Sequence, residues 1–144
     1  MDLIVDVGNS YIKCGLYNNH KITHFRAYAT KNKINLSYYE KHHFDKAIIA
    51  SVVEKKLPEL KRAIKRISSA KIIDVCHKNT SLKISKKIKE KLGVDLTADL
   101  LACKKLYGGP AVIFDIGTAS KILVLDRNSV FIGAAFFPGI KMSL

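Results

Sequence analysis

A chain of 144 residues, 48% of them hydrophobic, can bury a core of its own, which excludes a disordered tail. No apolar run is long enough to cross a bilayer and Met1-Asp2 leads straight into an apolar strand pattern with no signal peptide, so a cytoplasmic, non-membrane protein is expected. The formal net charge of +13 raises nucleic acid as a partner, but the only arginines are Arg26, Arg62, Arg66 and Arg127, and the scattered lysines read as a lean in composition that would attract any polyanion weakly, a nucleotide included.

In chain order, Leu3 to Tyr17 (LIVDVGNSYIKCGLY) predicts a strand, a tight turn and a second strand, from its β-branched residues and the turn at Gly8. Lys21 to Thr30 predicts a third strand of the same meander, and a short helix is expected around Ser37 to Glu40. Lys46 to Val53 (KAIIASVV) has the continuous apolar run of a buried strand. Glu54 to Ser68 carries Leu57, Leu60, Ala63, Ile64 and Ile67 at helical spacing, with Pro58 in the first turn, where its missing N–H does no harm.

Lys71 to Cys76 predicts a short strand, and the lysine-rich Ser81 to Leu92 gives no clear pattern. Asp95 to Tyr107 predicts a helix that Gly108-Gly109-Pro110 stops, with Asp95 an N-cap or first-turn acid. Val112 to Leu125 (VIFDIGTASKILVL) then repeats the opening hairpin when Asp6 is aligned with Asp115, a turn follows at Arg127-Asn128, and Val130 to Phe137 predicts another strand before Pro138-Gly139. Cys14, Cys76 and Cys103 show no metal-ligand or disulfide spacing, alone or with the five histidines, and read as reduced.

Each hairpin tip offers backbone N–H groups, short polar side chains (Asn9 and Ser10; Thr118 and Ser120) and one carboxylate at the strand end. Donors of this kind cradle phosphoryl oxygens, and a carboxylate beside them makes sense if it holds a cation or orients a water. Two such tips would clamp a polyphosphate. The bland reading is that D-x-G is a common way to end a strand and turn the chain, and for one copy the two readings are evenly matched.

The segments DVGNS at Asp6 to Ser10, ASVV at Ala50 to Val53, GVD at Gly93 to Asp95, FDIGTA at Phe114 to Ala119 and GAAFFPGIKMSL at Gly133 to Leu144 together resemble type III pantothenate kinases, in matching order and at matching intervals. The resemblance implies an α/β fold of the ribonuclease H-like, actin-like ATPase kind, a mixed sheet with flanking helices. One complete domain would span residues 1–107, and 108–144 would hold the opening strands of a second, equivalent domain. The implied activity is ATP-dependent phosphorylation of pantothenate, the first step toward coenzyme A, with Mg²⁺ accompanying the nucleotide.

By the same resemblance, Asp6, Val7, Gly8, Asn9, Ser10, Tyr11, Ile12 and Lys13 form the first ATP loop, and Thr118 contacts ATP from the second. Asp115 is similar to the family's ligand for a monovalent cation, K⁺ or NH₄⁺. Asp95 is similar to the proton acceptor for the pantothenate hydroxyl, and Gly93, Val94, Asp95 and Leu96 would line the acceptor site. A homodimer is also implied.

The chain departs from the family pattern on the acceptor side. Leu96 stands where an arginine able to grip a carboxylate is usual, and Lys87-Ile88-Lys89-Glu90-Lys91 stands where an Asn-Pro segment is usual. Nothing follows the strand and turn near Leu144 to complete the second copy, so another subunit or a longer protein is expected to supply the rest. These departures leave a second reading open, a regulatory or catalytically impaired relative that binds nucleotide without turnover. A third reading, a basic nucleic-acid module, rests on the charge alone.

Overall fold

The computed structural model describes residues 1–76, 80–86, 88 and 92–143, so His77 and most of the Lys87 to Lys91 segment lie outside the described residues. The chain divides into two compact units, Met1–Val75 and Cys76–Leu144. The helix that follows Gly93 therefore groups with the second sheet, whereas the sequence expectation drew the division after Tyr107.

The first unit is built on a five-stranded sheet with strands β1 (Asp2–Val7), β2 (Tyr11–Asn18), β3 (Lys21–Ala29), β4 (Lys46–Ser51) and β5 (Lys71–Asp74), in the order β3-β2-β1-β4-β5. The first three form an antiparallel meander, and β4 and β5 run parallel to β1. This is the ribonuclease H-like arrangement that the resemblance implies. Alternation decides the faces: Leu3, Val5 and Val7 of β1 and Ile12, Cys14 and Leu16 of β2 are buried on one side, while Asp6 and Lys13 lie on the other.

Helix α1 (Leu57–Ile67) covers the buried face through Leu60 and Ile64, both fully buried. Truncating either to alanine removes packing worth about 2–5 kcal/mol. Its first predicted turn, Glu54–Lys56, is a 3₁₀ turn that leads into the α-helix at Leu57, with Pro58 at the start, where no intrahelical N–H is needed. A short 3₁₀ turn at Ser37–Tyr39 buries Tyr39 beside Phe44 in the same core.

The second unit has a four-stranded sheet in the order β6-β9-β8-β7, formed by β6 (Lys83–Ile84), β7 (Ala111–Ile116), β8 (Ala119–Leu125) and β9 (Val130–Pro138). Strands β7, β8 and β9 repeat the opening meander, and the two-residue β6 pairs parallel to β9 at the edge, in the stretch that gave no sequence pattern. Helix α2 (Val94–Leu106) packs Leu96 and Leu100 against Leu123, Leu125 and Phe131. Its N-cap is Gly93, whose carbonyl accepts from both the backbone N–H and the hydroxyl of buried Thr97, at 3.0 and 2.9 Å.

The opposite face of β7 carries Val112, Phe114 and Ile116, all exposed. After Pro138-Gly139 the chain enters one helical turn, α3 (Ile140–Ser143), where the sequence reading had only a turn. Among the described residues no helix is long and apolar enough to cross a membrane.

Candidate active site

In the first unit the tip between β1 and β2 is Gly8-Asn9-Ser10, closed by the Gly8 N–H donating to the Tyr11 carbonyl at 2.9 Å. Thr30, missed in the sequence and nearly buried, ties this tip down. Its hydroxyl donates to the Gly8 carbonyl at 2.8 Å and its N–H to the Ser10 carbonyl at 3.0 Å. Two carbonyls of the tip are thereby occupied inside the fold and do not stand bare toward an anion.

Because β1 and β4 are parallel with Val7 opposite Ser51, this tip and the Ser51–Val53 turn lie at the same carboxyl end of the sheet, where open α/β sheets bind ligands. Asp6 and Lys13 are cross-strand partners, with Lys13 Nζ 3.6 Å from the Asp6 carboxylate and both side chains about half exposed. Lys13 is loosely held and can turn to a phosphoryl oxygen. Val7 and Ile12, by contrast, are buried, so only their backbone can belong to such a loop.

In the second unit the tip is shorter by one residue, Gly117-Thr118. Gly139 packs against it so closely that a Cβ there would stand 2.3 Å from the Gly117 carbonyl oxygen and 2.2 Å from that of Thr118. Only glycine lets the backbone after Pro138 approach this tip. The sequence signal was present, a glycine ending a strand, but its partner in space was not.

Asp115 and Lys121 are also cross-strand partners, on the face of the sheet that α2 covers. Lys121 continues the inward column of Leu123 and Leu125, and where the apolar column ends at the tip its ammonium meets the first turn of α2. There Nζ donates to Asp115 at 2.7 Å and to Asp95 at 2.5 Å, with Lys121 only 15% exposed. Burial pulls the Lys121 pKa down, but the hydrogen bonds to Asp115 and Asp95 and their charges outweigh it, so the group stands above the ordinary lysine value and is a fixed cation.

Among the described residues Asp95 makes no capping hydrogen bond; the N-cap is Gly93, whose carbonyl, accepting from Thr97, holds the start of the helix. Its carboxylate is one-third exposed and has Lys121 as its ion-pair partner. Leu96, expected to line an acceptor site, is 7% exposed and packs into the core with Leu100, Leu123 and Leu125. Among the described residues no group of three or more His, Cys, Asp and Glu side chains could hold a metal.

The family model for type III pantothenate kinases matches residues 2–144. The chain belongs to that family. It is 31% identical over 157 residues to a type III pantothenate kinase of Agathobacter rectalis, covering 99% of this chain and 60% of that protein. A type III pantothenate kinase of Finegoldia magna is 28% identical over 155 residues, covering 98% and 59%.

The chain thus spans about 60% of the length of the curated relatives it matches. The fold is shared with a solved Campylobacter jejuni structure described as a Baf family transcriptional activator, at a TM-score of 0.59 and 23% identity over 96% of this chain and 55% of that one. The two D-x-G turns lie at the two hairpin tips, the G-x-D segment at the first turn of α2, and Gly139 in the backbone packed on the second tip.

Proposed function

We propose that this chain catalyses transfer of the γ-phosphoryl group of MgATP to the hydroxyl of pantothenate, giving 4′-phosphopantothenate and ADP. The observation that carries the reading is Asp95 in a chain of this family: a half-buried carboxylate at a helix start that the helix does not use as a cap. The acceptor oxygen forms the new bond to phosphorus, the bond from the γ-phosphorus to the bridging oxygen breaks, and Asp95 takes the hydroxyl proton. Phosphoryl transfer needs little more than such a positioned carboxylate and positive charge around the moving group.

In this reading the segment Asp6 to Lys13 and Thr118 contact the nucleotide, the tip donors and Lys13 serving its phosphates. Asp6, exposed at the strand end, would hold the Mg²⁺ that travels with ATP, directly or through water. Gly93, Val94 and Asp95 would line the acceptor, with Leu96 beneath them. At Asp115, where the monovalent cation is expected, Lys121 already donates to one carboxylate oxygen, Oδ2.

We also propose a cytoplasmic homodimer; Cys14 and Cys103 are free thiols, and Val112, Phe114 and Ile116 leave an apolar strand face exposed. A monomer by light scattering at micromolar concentration would contradict the dimer. For the activity, the purified chain is incubated with ATP, Mg²⁺, potassium and pantothenate and the product read by mass spectrometry. Formation of phosphopantothenate that Asp95→Asn abolishes is the expected result; no product, with the variant indistinguishable from the parent, removes the assignment.

Leu96 favours one other reading. Its burial in the core leaves no cationic side chain at that position for the acceptor's carboxylate, as expected of a relative that binds nucleotide without turnover. Calorimetric binding of ATP with no phosphopantothenate would support it, and turnover would exclude it.

A further inference from the structure

Asp95 and Asp115 share a single ammonium. Two carboxylates this close repel each other unless positive charge stands between them, and here that charge is covalently part of the chain: Lys121, held on β8 directly opposite Asp115 and reaching the first turn of α2. The first hairpin supplies the contrast. Lys13 occupies the matching cross-strand position, yet it is half exposed and 3.6 Å from Asp6, free to serve a ligand, whereas Lys121 is 15% exposed and bonded to both acids.

We propose that Lys121 is the resident cation of this site, its ammonium taking the place of the potassium or ammonium ion expected at Asp115 and holding Asp95 in position. The inference deepens the kinase reading and rests on it for what Asp95 does, but the ion pairing stands apart from turnover. An ammonium offers the same N–H donors as NH₄⁺, and tethering makes its contact intramolecular, so a dissolved ion must displace it to bind. Lys121 is a positioning residue: it orients the carboxylate that accepts the proton and touches neither reactant in this account.

The test reads melting of the full chain in choline, potassium and ammonium chloride at one ionic strength, without substrates. The wild-type Tm is expected to be the same in all three within about 1 °C, a shift equivalent to a small fraction of a kcal/mol for a chain of this size. Lys121→Met, which keeps the side-chain length and removes the charge, is expected to melt lower in choline and to recover part of the loss, saturably, in potassium or ammonium. A wild-type Tm that rises saturably with potassium, and no longer does so in Asp115→Asn, overturns the proposal.

If Lys121→Met fails to fold, the wild-type titration and its Asp115→Asn control decide alone. The two readings fail separately. A chain that ignores potassium and makes no phosphopantothenate removes the kinase and keeps the resident cation, while turnover that requires potassium keeps the kinase and removes the resident cation.

Discussion

Lys121 stands opposite Asp115 across the second hairpin as Lys13 stands opposite Asp6 across the first, but linear spacing hides the equivalence. The first tip holds one residue more, so the lysine lies seven positions after its aspartate in one copy and six in the other. The repeated unit is therefore larger than a D-x-G turn. It includes an acid and a base paired across two strands, one pair open to solvent and one enclosed beneath a helix.

Lys13→Met should raise the KM for ATP about tenfold, the loss of roughly 1.4 kcal/mol of binding, with kcat changed far less. Thermal stability should hardly move, because an exposed pair of this kind contributes about 0–1 kcal/mol. Steady-state kinetics beside a melting curve checks both; a large drop in Tm with unchanged KM would place Lys13 in the scaffold and not at the phosphates.

Thr30→Val leaves the Gly8 carbonyl without its side-chain donor. A lost hydrogen bond of this sort costs about 0.5–1.5 kcal/mol of stability, and the loosened tip should bind ATP more weakly as well. Thr30→Ser keeps the hydroxyl and should restore both. Calorimetric ATP titrations of the two variants would separate this from a packing effect, since Val matches Thr in shape and Ser does not.

Gly139→Ala forces a methyl into carbonyl oxygens 2.2 and 2.3 Å away. The backbone must shift, at a cost of about 1–3 kcal/mol, and the Gly117-Thr118 tip moves with it. A lower Tm together with weaker nucleotide binding is expected. An unaltered melting curve would mean that the backbone at Gly139 does not rest on this tip in solution.

Cys14 gives a pH dependence. Burial first, and then the charge of Asp6, pushes its thiol up to about 12. An unfolded chain releases that proton near pH 8.5, so between roughly pH 9 and 12 the folded form holds the extra proton and stability falls as pH rises, by about 1.4 kcal/mol per unit from this group. Below about pH 8 the group contributes no slope. Urea unfolding of the parent and Cys14→Ala from pH 8 to 10.5 should show the difference between them shrinking with pH; parallel curves would contradict the assignment.

The meanders and the buried strands were legible because alternation and β-branched runs are local signals, and α1 because Leu60 and Ile64 recur at helical spacing. What escaped depended on neighbours distant in sequence. Lys121 reads as one more lysine until the strand register sets it beside Asp115, and Thr30 reads as the end of a strand until its hydroxyl is found on Gly8. Strand β6 is two residues long, too short for any period, and exists through its pairing with Val130 and Phe131. The grouping of α2 with the second sheet followed from Leu96 and Leu100, whose partners Leu123, Leu125 and Phe131 come later in the chain.

Since Gly93 and Thr97 secure the opening of α2 without help from the acid between them, Asp95 can be exchanged while the scaffold around it persists. That makes the position a natural handle for a silent but intact form of the protein, one that could hold both reactants unconverted long enough for their poses to be seen.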